Sequence, residues 1–352
     1  MARAILKRSR IAGIATTFPR GRVSTTELAA QTGQGSGQKI IAMTGIESRP
    51  VTSPPVCASD LCEDAARRLM NELNWEPESV EAVVFISQFP DYILPATACE
   101  LQKRLNLSKD AACYDVNMGC SGYVYGLWLV SCLVQSGVQR ALLLVGDTTN
   151  RYVNPQDKSS VYLFGEAGTA TAIEQGEGNM AFVLGTDGGG VPHLIIPAGQ
   201  CRERPTAANA LPEEQEGGNI RSRQQLFMNG PEVMAFTLRE VPPLFEQMLE
   251  LSGKCRDDID ALVMHQANQF ILNTLGKKLG FTGDKVPSSM RNCGNTSCAS
   301  IPVTISSCLR ERLVQAPMTL AMMGFGVGWS WAGCLGEFGP MALPEPAFLE
   351  NH

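Results

Sequence analysis

Short apolar runs alternate with helix-like patterns along most of the chain. Residues 81–87 and 140–146 have the length and apolar density of strands buried on both faces. Residues 59–73 repeat apolar side chains at helical spacing and begin with Ser59 and Asp60, which are good capping types. This order predicts an α/β protein with layers of helices packed on mostly parallel sheets.

The second half of the chain repeats this order. Residues 260–265 and 319–324 are strand candidates, and residues 268–279 have a helical pattern. Residues 300–313 predict another helix, in which Pro302 is tolerated because it falls in the first turn. The two halves therefore have similar predicted element orders.

One motif occurs twice, 175 residues apart. Residues 117–121 read Asn-Met-Gly-Cys-Ser, and residues 292–296 read Asn-Cys-Gly-Asn-Thr. The same offset aligns Ser131, within the predicted buried helix at 121–137, with Ser306. A repeat half as long as the chain predicts two similar halves packed together rather than a solenoid.

We place the boundary between the halves near residues 174–178. The N-terminal half, residues 1–176, then carries a thiol at the repeated turn, Cys120. The C-terminal half, residues 177–352, carries a carboxamide, Asn295, at the equivalent position. Different polar groups at equivalent turns are a plausible basis for one asymmetric active site.

Residues 199–225 form the least strand-like part of the chain, with scattered proline, glycine and charged residues. We interpret them as a solvated surface loop. The alternative is a mobile cover over a substrate entrance.

Composition narrows the function classes. The 352 residues are 44% apolar and 18% charged, as expected of a well-packed, enzyme-like protein with a sizeable core. The net charge of −6 disfavours nucleic acid as the main partner, because nucleic-acid-binding domains usually carry a basic excess.

The twelve cysteines include no Cys-x-x-Cys pair, and the chain has only three histidines: His193, His265 and His352. The small number of histidines and the lack of a Cys-x-x-Cys pair disfavour a metal site. Most of the cysteines are interpreted as small core residues. Those in apolar runs are Cys113, Cys132, Cys308 and Cys334, and those in helical stretches are Cys62 and Cys99.

The basic residues within 1–10 are not followed by the apolar core of a signal peptide. No apolar run reaches the roughly 18 residues of a membrane span. We therefore expect a cytoplasmic protein with reduced thiols.

Cys120 lies between a predicted strand end and the small-residue start of a helix. The positive end of the helix dipole predicts a lowered thiol pKa, and the neighbouring small residues leave room for an acyl group. His265 ends a strand and Asn295 follows Gly294 in a turn. Each residue alone has an ordinary structural explanation, but together they form a converging catalytic set.

These motifs resemble a known family. Residues 118–122, 265–268 and 294–297 look like the three active-site motifs of β-ketoacyl-acyl carrier protein synthase III, a condensing enzyme of the thiolase superfamily. The further matches are residues 44–47, 91–92, 95–99, 164–165, 196–199 and 228–233. Together they span nearly the whole chain in the family's order.

The resemblance implies a thiolase-like five-layered α-β-α-β-α fold of two pseudo-symmetric halves, a homodimer, and no cofactor or metal. Cys120 would take an acyl group from an acyl thioester of coenzyme A or acyl carrier protein. His265 and Asn295 would then hydrogen-bond the carbonyl of malonyl-acyl carrier protein and stabilise the enolate that forms as carbon dioxide leaves. The product would be a β-ketoacyl thioester.

The resemblance also assigns supporting residues. Backbone N–H groups of Cys120 and Val327 would form the oxyanion hole. Asn268 and Phe325 would contribute to substrate binding. Leu94 stands where many members have a phenylalanine that closes the partner subunit's acyl pocket, so it favours a longer or branched acyl group, unless the change is a neutral apolar swap.

Other departures from the family's pattern lie at the positions that would bind the acyl donor. Lys39, Met43 and Lys158 stand where housekeeping members use a tryptophan and two arginines to sandwich the adenine of coenzyme A. Lysine is not a planar stacking partner, so we expect the sandwich to be lost. Lys39 and Lys158 would then meet phosphates or be ordinary surface lysines. Lys277 and Lys278 would contact an acidic carrier protein or, equally, only solvent.

Three alternatives remain open beside a condensing enzyme of fatty-acid initiation or specialised metabolism. One is an acyltransferase on the same fold that passes the Cys120 acyl group to an amine or alcohol. Another is a silent partner subunit, which the complete Cys-His-Asn set disfavours. A thiolase is disfavoured because Cys334 lacks a matching motif.

Overall fold

The computed structural model describes residues 1–33 and 35–350; Gln34, Asn351 and His352 lie outside the described residues. Its strands are β1 (Ala2–Leu6), β2 (Ser9–Phe18), β3 (Arg22–Ser24), β4 (Ser48–Pro50), β5 (Ala82–Ile86), β6 (Ala112–Val116), β7 (Arg140–Asp147), β8 (Ala167–Gln175), β9 (Met180–Thr186), β10 (Leu194–Ile195), β11 (Glu213–Gln215), β12 (Asn219–Arg221), β13 (Phe227–Met228), β14 (Ala261–Met264), β15 (Met318–Gly326), β16 (Ser330–Phe338) and β17 (Ala347–Phe348). Its α-helices are α1 (Thr25–Thr32), α2 (Gly37–Thr44), α3 (Ala58–Leu73), α4 (Thr97–Arg104), α5 (Gly122–Ser136), α6 (Gly230–Ser252), α7 (Gln269–Leu279), α8 (Met290–Cys293), α9 (Ser300–Cys308) and α10 (Arg310–Gln315).

Two large sheets organise the described chain. One has the strand order β17-β2-β8-β7-β5-β6, and the other has the order β1-β9-β16-β15-β14. Both contain a parallel pair (β5/β7 and β14/β15) followed by an antiparallel hairpin (β7/β8 and β15/β16). The predicted repeat is therefore present in the topology. The prediction of mostly parallel sheets is confirmed for the six-stranded sheet, in which three of the five strand pairs are parallel, but it is wrong for the five-stranded sheet, in which one of the four pairs is parallel.

Helices cover both faces of both sheets. On β5, Val84 faces a central apolar core that also contains residues of α5, α9 and the five-stranded sheet. Val83 and Phe85 face an outer core with α3 and α4. A third core joins the five-stranded sheet to α6 and α7. This is the five-layered arrangement that the resemblance implies, with α5 and α9 in the middle layer.

The predicted strands at 81–87 and 140–146 are confirmed as β5 and β7, each buried on both faces because helices cover both sides. Two helix predictions need correction. α3 begins at Ala58, with Cys57 as its N-cap, because the Asp60 carboxylate accepts the Cys57 N–H at 2.6 Å. The helix predicted at 300–313 is divided into α9 and α10 at Leu309, where the backbone leaves helical geometry.

Between β8 and β9 the chain passes from the six-stranded sheet to the five-stranded sheet. The terminal strands pair across this division: β1 joins β9, and β17 joins β2. The assignment of residues 1–176 and 177–352 as separate halves stays a prediction.

The interpretation of residues 199–225 as a surface loop is largely confirmed, because most of residues 201–214 are exposed. The segment contains the antiparallel pair β11/β12. Arg221 on β12 forms an ion pair of 3.3 Å with Asp157, whose side chain is fully buried. Gly199 and Gln200, at the start of the segment, line the cavity described below. The segment is therefore anchored to the body of the protein beside that cavity.

The core interpretation of the cysteines is confirmed for Cys62 and Cys334, which are buried, but it is wrong for Cys99 and Cys308, which are exposed. Within residues 1–33 and 35–350, no group of three or more His, Cys, Asp or Glu side chains is placed to hold a metal ion. In the same ranges, no helix has the length and apolarity to cross a membrane.

Candidate active site

Cys120, His265 and Asn295 converge at one end of the two sheets. Cys120 lies between the end of β6 and the start of α5. His265 directly follows β14, and its backbone N–H donates to the carbonyl of Met323 on β15 at 2.8 Å. The parallel β14/β15 ladder therefore continues to His265 and sets the position of its ring.

Asn295 is held by backbone bonds to a segment of the other half. Its N–H donates to the Leu163 carbonyl at 2.8 Å, and its own carbonyl accepts the Gly165 N–H at 3.0 Å. A Cβ on Gly165 would lie 1.8 Å from the carbonyl oxygen of Cys293, so only glycine fits this contact. Glycine at position 165 therefore allows the backbone around Asn295 to approach residues 163–165 closely.

Ser297 joins the three predicted residues. Its backbone N–H donates to Asn295 Oδ1 at 2.9 Å. Its side chain opposes the rise of the Cys120 pKa, and its backbone opposes the lowering of the His265 pKa. Ser297 is buried and has φ 51°, a left-handed conformation that is costly for a residue with a Cβ. Strained backbone at such a junction is typical of functional sites.

The backbone N–H groups predicted to form an oxyanion hole face the thiol. The backbone N–H groups of Val327 and of Cys120 itself act to lower the Cys120 pKa, which favours the thiolate. Ser330 Oγ donates to the Val327 carbonyl at 2.7 Å and lies 2.7 Å from Ser121 Oγ. These bonds hold the loop after β15 against the start of α5. The backbone N–H groups of Cys120 and Val327 therefore keep fixed positions relative to each other.

The predicted lowering of the Cys120 pKa is wrong for this structure. The thiol is closely packed: a Cβ on Gly326 would lie 2.7 Å from its Sγ. Burial raises the pKa of Cys120 to about 11, the Val327 N–H opposes this, and the Asp147 carboxylate adds to the rise. Desolvation therefore outweighs the helix terminus, and the resting thiol is neutral.

Asp147, at the end of β7, is the buried carboxylate beside this thiol. Its Oδ1 accepts from Ser87 Oγ at 2.9 Å and from the Gln88 N–H at 2.8 Å. Its Oδ2 accepts from Cys298 Sγ at 3.3 Å. Burial raises the pKa of Asp147, and a hydrogen bond from the Ser297 side chain opposes this rise.

Asp147→Asn should make Cys120 more reactive at neutral pH. A neighbouring carboxylate disfavours the thiolate and raises the thiol pKa, so its neutralisation lowers that pKa. We expect the pH profile of iodoacetamide alkylation at Cys120, followed by peptide mass spectrometry, to move to lower pH. The exposed Cys99 in the same samples is the internal control. An unchanged or higher profile at Cys120 would contradict this electrostatic role.

His265 is neutral in this site. Burial lowers the pKa of His265 to about 3, with the Ser297 backbone bond opposing the shift. Ser300 Oγ lies 2.8 Å from Nδ1. Phe325, predicted to bind substrate, is buried and packs edge-on against the imidazole with ring centroids 5.7 Å apart. It lines neither of the cavities below and contacts the catalytic ring instead.

A cavity of about 590 Å³ opens onto Cys120. We call it the Cys120 cavity. Ser297 and Val327 form its wall near the thiol. Its larger apolar lining residues are Phe89, Ile93, Tyr152, Phe164, Leu194, Ile195, Ile196 and Leu226. No Lys, Arg, Asp or Glu lines it within the described part of the chain. The cavity beside the nucleophile is therefore lined without a charged side chain among the described residues.

A second cavity, of about 730 Å³, contains two of the predicted donor-binding residues. Lys158 and Asn268 line it together with Met43 and Phe270, whereas the exposed Lys39 does not. The Asn268 side chain also accepts the Ile271 N–H at 2.8 Å and so caps α7. Its carboxamide oxygen is thus engaged in the fold.

Leu94 lies outside both cavities of its own chain. Its side chain is 79% exposed, although the neighbouring Ile93 lines the Cys120 cavity.

Sequence reasoning gave no role to Ser297, Ser300 or Asp147. Ser297 was signalled by its place in the motif at 294–297, whereas Asp147 was signalled only by its position at a strand end.

Comparison with known proteins agrees with this geometry. A family model described as 3-oxoacyl-[acyl-carrier-protein (ACP)] synthase III matches residues 114–188, and its C-terminal counterpart matches residues 249–338. The chain is 33% identical over 301 residues to the β-ketoacyl-[acyl-carrier-protein] synthase III of Caldanaerobacter subterraneus subsp. tengcongensis, which covers 84% of this chain and 88% of that protein. It is also 33% identical over 325 residues to the protein of the same name from Symbiobacterium thermophilum, covering 91% and 95% of the two chains.

A solved structure is similar over the whole length. The crystal structure of 3-oxoacyl-(acyl-carrier protein) synthase from Burkholderia xenovorans LB400 superposes with a TM-score of 0.92. The two sequences are 38% identical, and the match covers 99% of each chain.

Proposed function

The chain belongs to the β-ketoacyl-acyl carrier protein synthase III family of condensing enzymes, and we propose that it condenses an acyl group held on Cys120 with malonyl-acyl carrier protein. The observation that carries the proposal is the Ser297 junction. One residue hydrogen-bonds the Asn295 carboxamide and acts on the pKa values of both Cys120 and His265, beside a cavity large enough for an acyl chain.

The first half-reaction loads the nucleophile. Cys120 Sγ attacks the carbonyl carbon of the donor thioester, and the oxygen that becomes negative is stabilised by the N–H groups of Cys120 and Val327. The donor's thiolate leaves and receives the proton that the Cys120 thiol lost. Because burial keeps the resting thiol neutral, deprotonation accompanies attack rather than preceding it.

The second half-reaction forms the carbon–carbon bond. The malonyl carboxylate leaves as carbon dioxide, and its electron pair generates an enolate on the thioester carbonyl. Hydrogen bonds from His265 and Asn295 stabilise the enolate oxygen. The enolate carbon attacks the acyl-Cys120 carbonyl, the thioester bond to Sγ breaks, and the released thiolate takes up one proton. The β-ketoacyl product remains on the carrier protein.

A neutral His265 suits this role. An imidazole whose pKa is about 3 donates one hydrogen bond without carrying charge at physiological pH. If the Ser300 hydroxyl donates to Nδ1, the ring proton resides on Nε2, the nitrogen that would donate to the substrate carbonyl in place of its resting partner. Ser300 would then be a positioning residue that sets the tautomer.

The condensation step should therefore show no histidine titration near neutral pH. The His265 pKa is lowered, so the ring protonates only when the pH falls towards 3, well below the ordinary value of 6.5. We expect the rate at which malonyl-acyl carrier protein discharges preformed acyl-Cys120 to be flat between about pH 5.5 and 8. Rapid-quench mass spectrometry measures this rate directly. An inflection near pH 6.5 that is absent in His265→Asn would contradict a neutral imidazole.

The donor enters from the second cavity in this proposal. Lys158 and Asn268 line that cavity, which places one cation at its wall for a phosphate of coenzyme A or of a carrier-protein prosthetic group. The exposed Lys277 and Lys278, at the end of α7, would meet an acidic carrier protein. Lys39 is left as a surface residue. The replacement of the family's adenine-binding residues by Lys39, Met43 and Lys158 favours specialised metabolism over fatty-acid initiation.

The proposed enzyme is a homodimer. Tyr92, Ile93 and Leu94 expose 56%, 83% and 79% of their surfaces on one loop. Three consecutive exposed large apolar side chains are typical of an interaction site. Leu94 would close the acyl cavity of the partner subunit.

Intact-protein mass spectrometry tests the first half-reaction. The protein is incubated with a panel of acyl-coenzyme A and acyl-acyl carrier protein thioesters of increasing chain length. We expect one acyl adduct per chain, placed on Cys120 by peptide mapping, and the best donor identifies the substrate class. Absence of an adduct from every donor would favour a silent partner subunit over a condensing enzyme.

A further inference from the structure

Arg49, on β4, is a buried cation that no step of the proposed mechanism uses. It is 3% exposed and lines neither cavity. Its Nε donates to the Phe164 carbonyl at 2.7 Å, and its Nη2 donates to the Val161 carbonyl. Burial lowers the pKa of Arg49 to about 10, and the Glu166 carboxylate opposes this shift. The guanidinium is therefore charged at neutral pH and is bound to residues 161–164.

Asn295 is bound to the same segment. It forms an isolated parallel bridge with Phe164, through the Leu163 carbonyl and the Gly165 N–H. Arg49 thus binds carbonyl groups at positions 161 and 164, and Asn295 binds backbone groups at positions 163 and 165. A shift of this segment at Arg49 would therefore move the backbone of Asn295.

Arg49 also packs against the turn that carries Asn295. A Cβ on Gly294 would lie 3.1 Å from the Arg49 Cβ, and a Cβ on Gly165 would lie 3.4 Å from it. Gly294 has φ 63° and immediately precedes Asn295. The stem of the Arg49 side chain therefore borders both glycines at which the two segments meet.

Glu166 and Asn150 support the Arg49 contact from the other side of the segment's end. Glu166 is fully buried, and its Oε1 accepts the Asn150 N–H at 3.1 Å and Asn150 Nδ2 at 3.2 Å. Asn150 Nδ2 also donates to the Phe164 carbonyl at 2.9 Å. That carbonyl therefore has two side-chain donors, Arg49 and Asn150, and one buried carboxylate holds Asn150 and acts on the charge of Arg49.

Stability alone is a weak explanation for this buried network. Arg49 Nη1 has no hydrogen-bond partner among the described residues, so the pairing of the buried charge is incomplete. Replacing a buried ion pair with well-packed apolar side chains is often neutral or stabilising. Geometry is the stronger explanation, because a misplacement of about 1 Å in an active site can lower the rate by about 10²-fold.

We propose that Arg49 is a positioning residue for the condensation step: it fixes residues 161–165 so that the Asn295 carboxamide meets the enolate oxygen. Arg49 acts through Asn295, so its effect falls on the discharge of acyl-Cys120 by malonyl-acyl carrier protein. Loading depends instead on the N–H groups of Cys120 and Val327, which lie outside this segment. This inference rests on the proposed function, since it names a further residue of the same reaction.

Arg49→Lys tests the inference in single-turnover mass spectrometry. The variant keeps the charge but loses the fork that binds two carbonyls at once. We expect discharge to slow by about tenfold or more and loading to stay within about twofold of the wild type. Arg68→Lys is the matched control, because Arg68 is a half-buried arginine on α3 that donates to the Thr16 carbonyl at 2.6 Å and lines neither cavity. Its loading and discharge should both be unchanged.

A double-mutant cycle separates positioning from a general structural role. Arg49→Lys is combined with Asn295→Ala, and discharge is measured for both single variants and the double variant. If Arg49 acts through Asn295, the double variant discharges at the rate of Asn295→Ala alone. A structural role that is independent of Asn295 would make the two losses multiply.

Asn150→Ala decides the question if Arg49→Lys shows no cooperative melting transition. It removes the second donor to the Phe164 carbonyl at a half-buried position. We expect a smaller loss of discharge, about threefold, the size of one neutral hydrogen bond. This loss should likewise vanish in the Asn295→Ala background.

Normal discharge by folded Arg49→Lys, or by Asn150→Ala where Arg49→Lys does not fold, would overturn the inference. Losses that multiply in the cycle, or equal losses of loading and discharge, would also overturn it. In each of these cases the wild type still condenses, so the proposed function stands. If malonyl-acyl carrier protein does not discharge the wild-type acyl-enzyme, the proposed function fails, and the inference fails with it.

Discussion

A Cys120→Ala enzyme should form no acyl adduct and no β-ketoacyl product, yet it should still decarboxylate malonyl-acyl carrier protein slowly. The variant removes the nucleophile, for which we expect a loss of condensation of about 10⁴-fold or more. The Asn295 bond to the Ser297 backbone does not involve the thiol, so the enolate-stabilising groups remain in place. Decarboxylation without condensation would separate the two half-reactions in one variant.

Product and carbon dioxide formation are measured together for this variant, with Cys132→Ala as the matched control. Cys132 is a half-buried cysteine on α5 that lines neither cavity, so its removal should change neither rate. Wild-type condensation by Cys120→Ala would show that another group carries the acyl chain.

Loss of His265 or Asn295 should preserve acyl loading and impair condensation, which is the opposite of the pattern expected for Cys120→Ala. His265→Ala and Asn295→Ala should still load the acyl group on Cys120, because the N–H groups of Cys120 and Val327 serve that step. Discharge by malonyl-acyl carrier protein should fall by roughly 10²–10³ for each variant, the effect of removing one donor to a developing oxyanion.

Single-turnover mass spectrometry resolves the two steps for these variants. Asn292→Ala is the matched control, because Asn292 is an exposed asparagine three residues from Asn295 whose side chain lines neither cavity. Equal losses of loading and discharge would instead place His265 and Asn295 in acyl transfer.

The Cys-His-Asn set could be predicted from the sequence because each residue ends a recognisable element. Cys120 and Asn295 occupy equivalent turns of the repeat, and His265 follows an apolar strand. Cys120 follows an edge strand of one sheet and His265 an edge strand of the other, so their convergence depends on how the two sheets pack, which the family resemblance implied and the order of elements did not. The five layers followed from the family resemblance and not from periodicity.

Other properties depend on packing between distant segments. The Cys120 pKa is governed by burial against Gly326 and by Asp147, neither of which is near Cys120 in sequence. The antiparallel pairs of the five-stranded sheet also escaped prediction, because a buried apolar strand has the same pattern beside parallel and antiparallel neighbours.

The central claim is that an acyl-Cys120 enzyme condenses with a malonyl unit, and discharge of the isolated acyl-enzyme tests it most directly. The acylated protein is freed of donor, mixed with malonyl-acyl carrier protein, and followed by intact-protein mass spectrometry of both proteins. We predict that each lost acyl group reappears as β-ketoacyl-acyl carrier protein with release of one carbon dioxide. An adduct that resists malonyl-acyl carrier protein but transfers to an amine or alcohol would contradict the account and identify an acyltransferase.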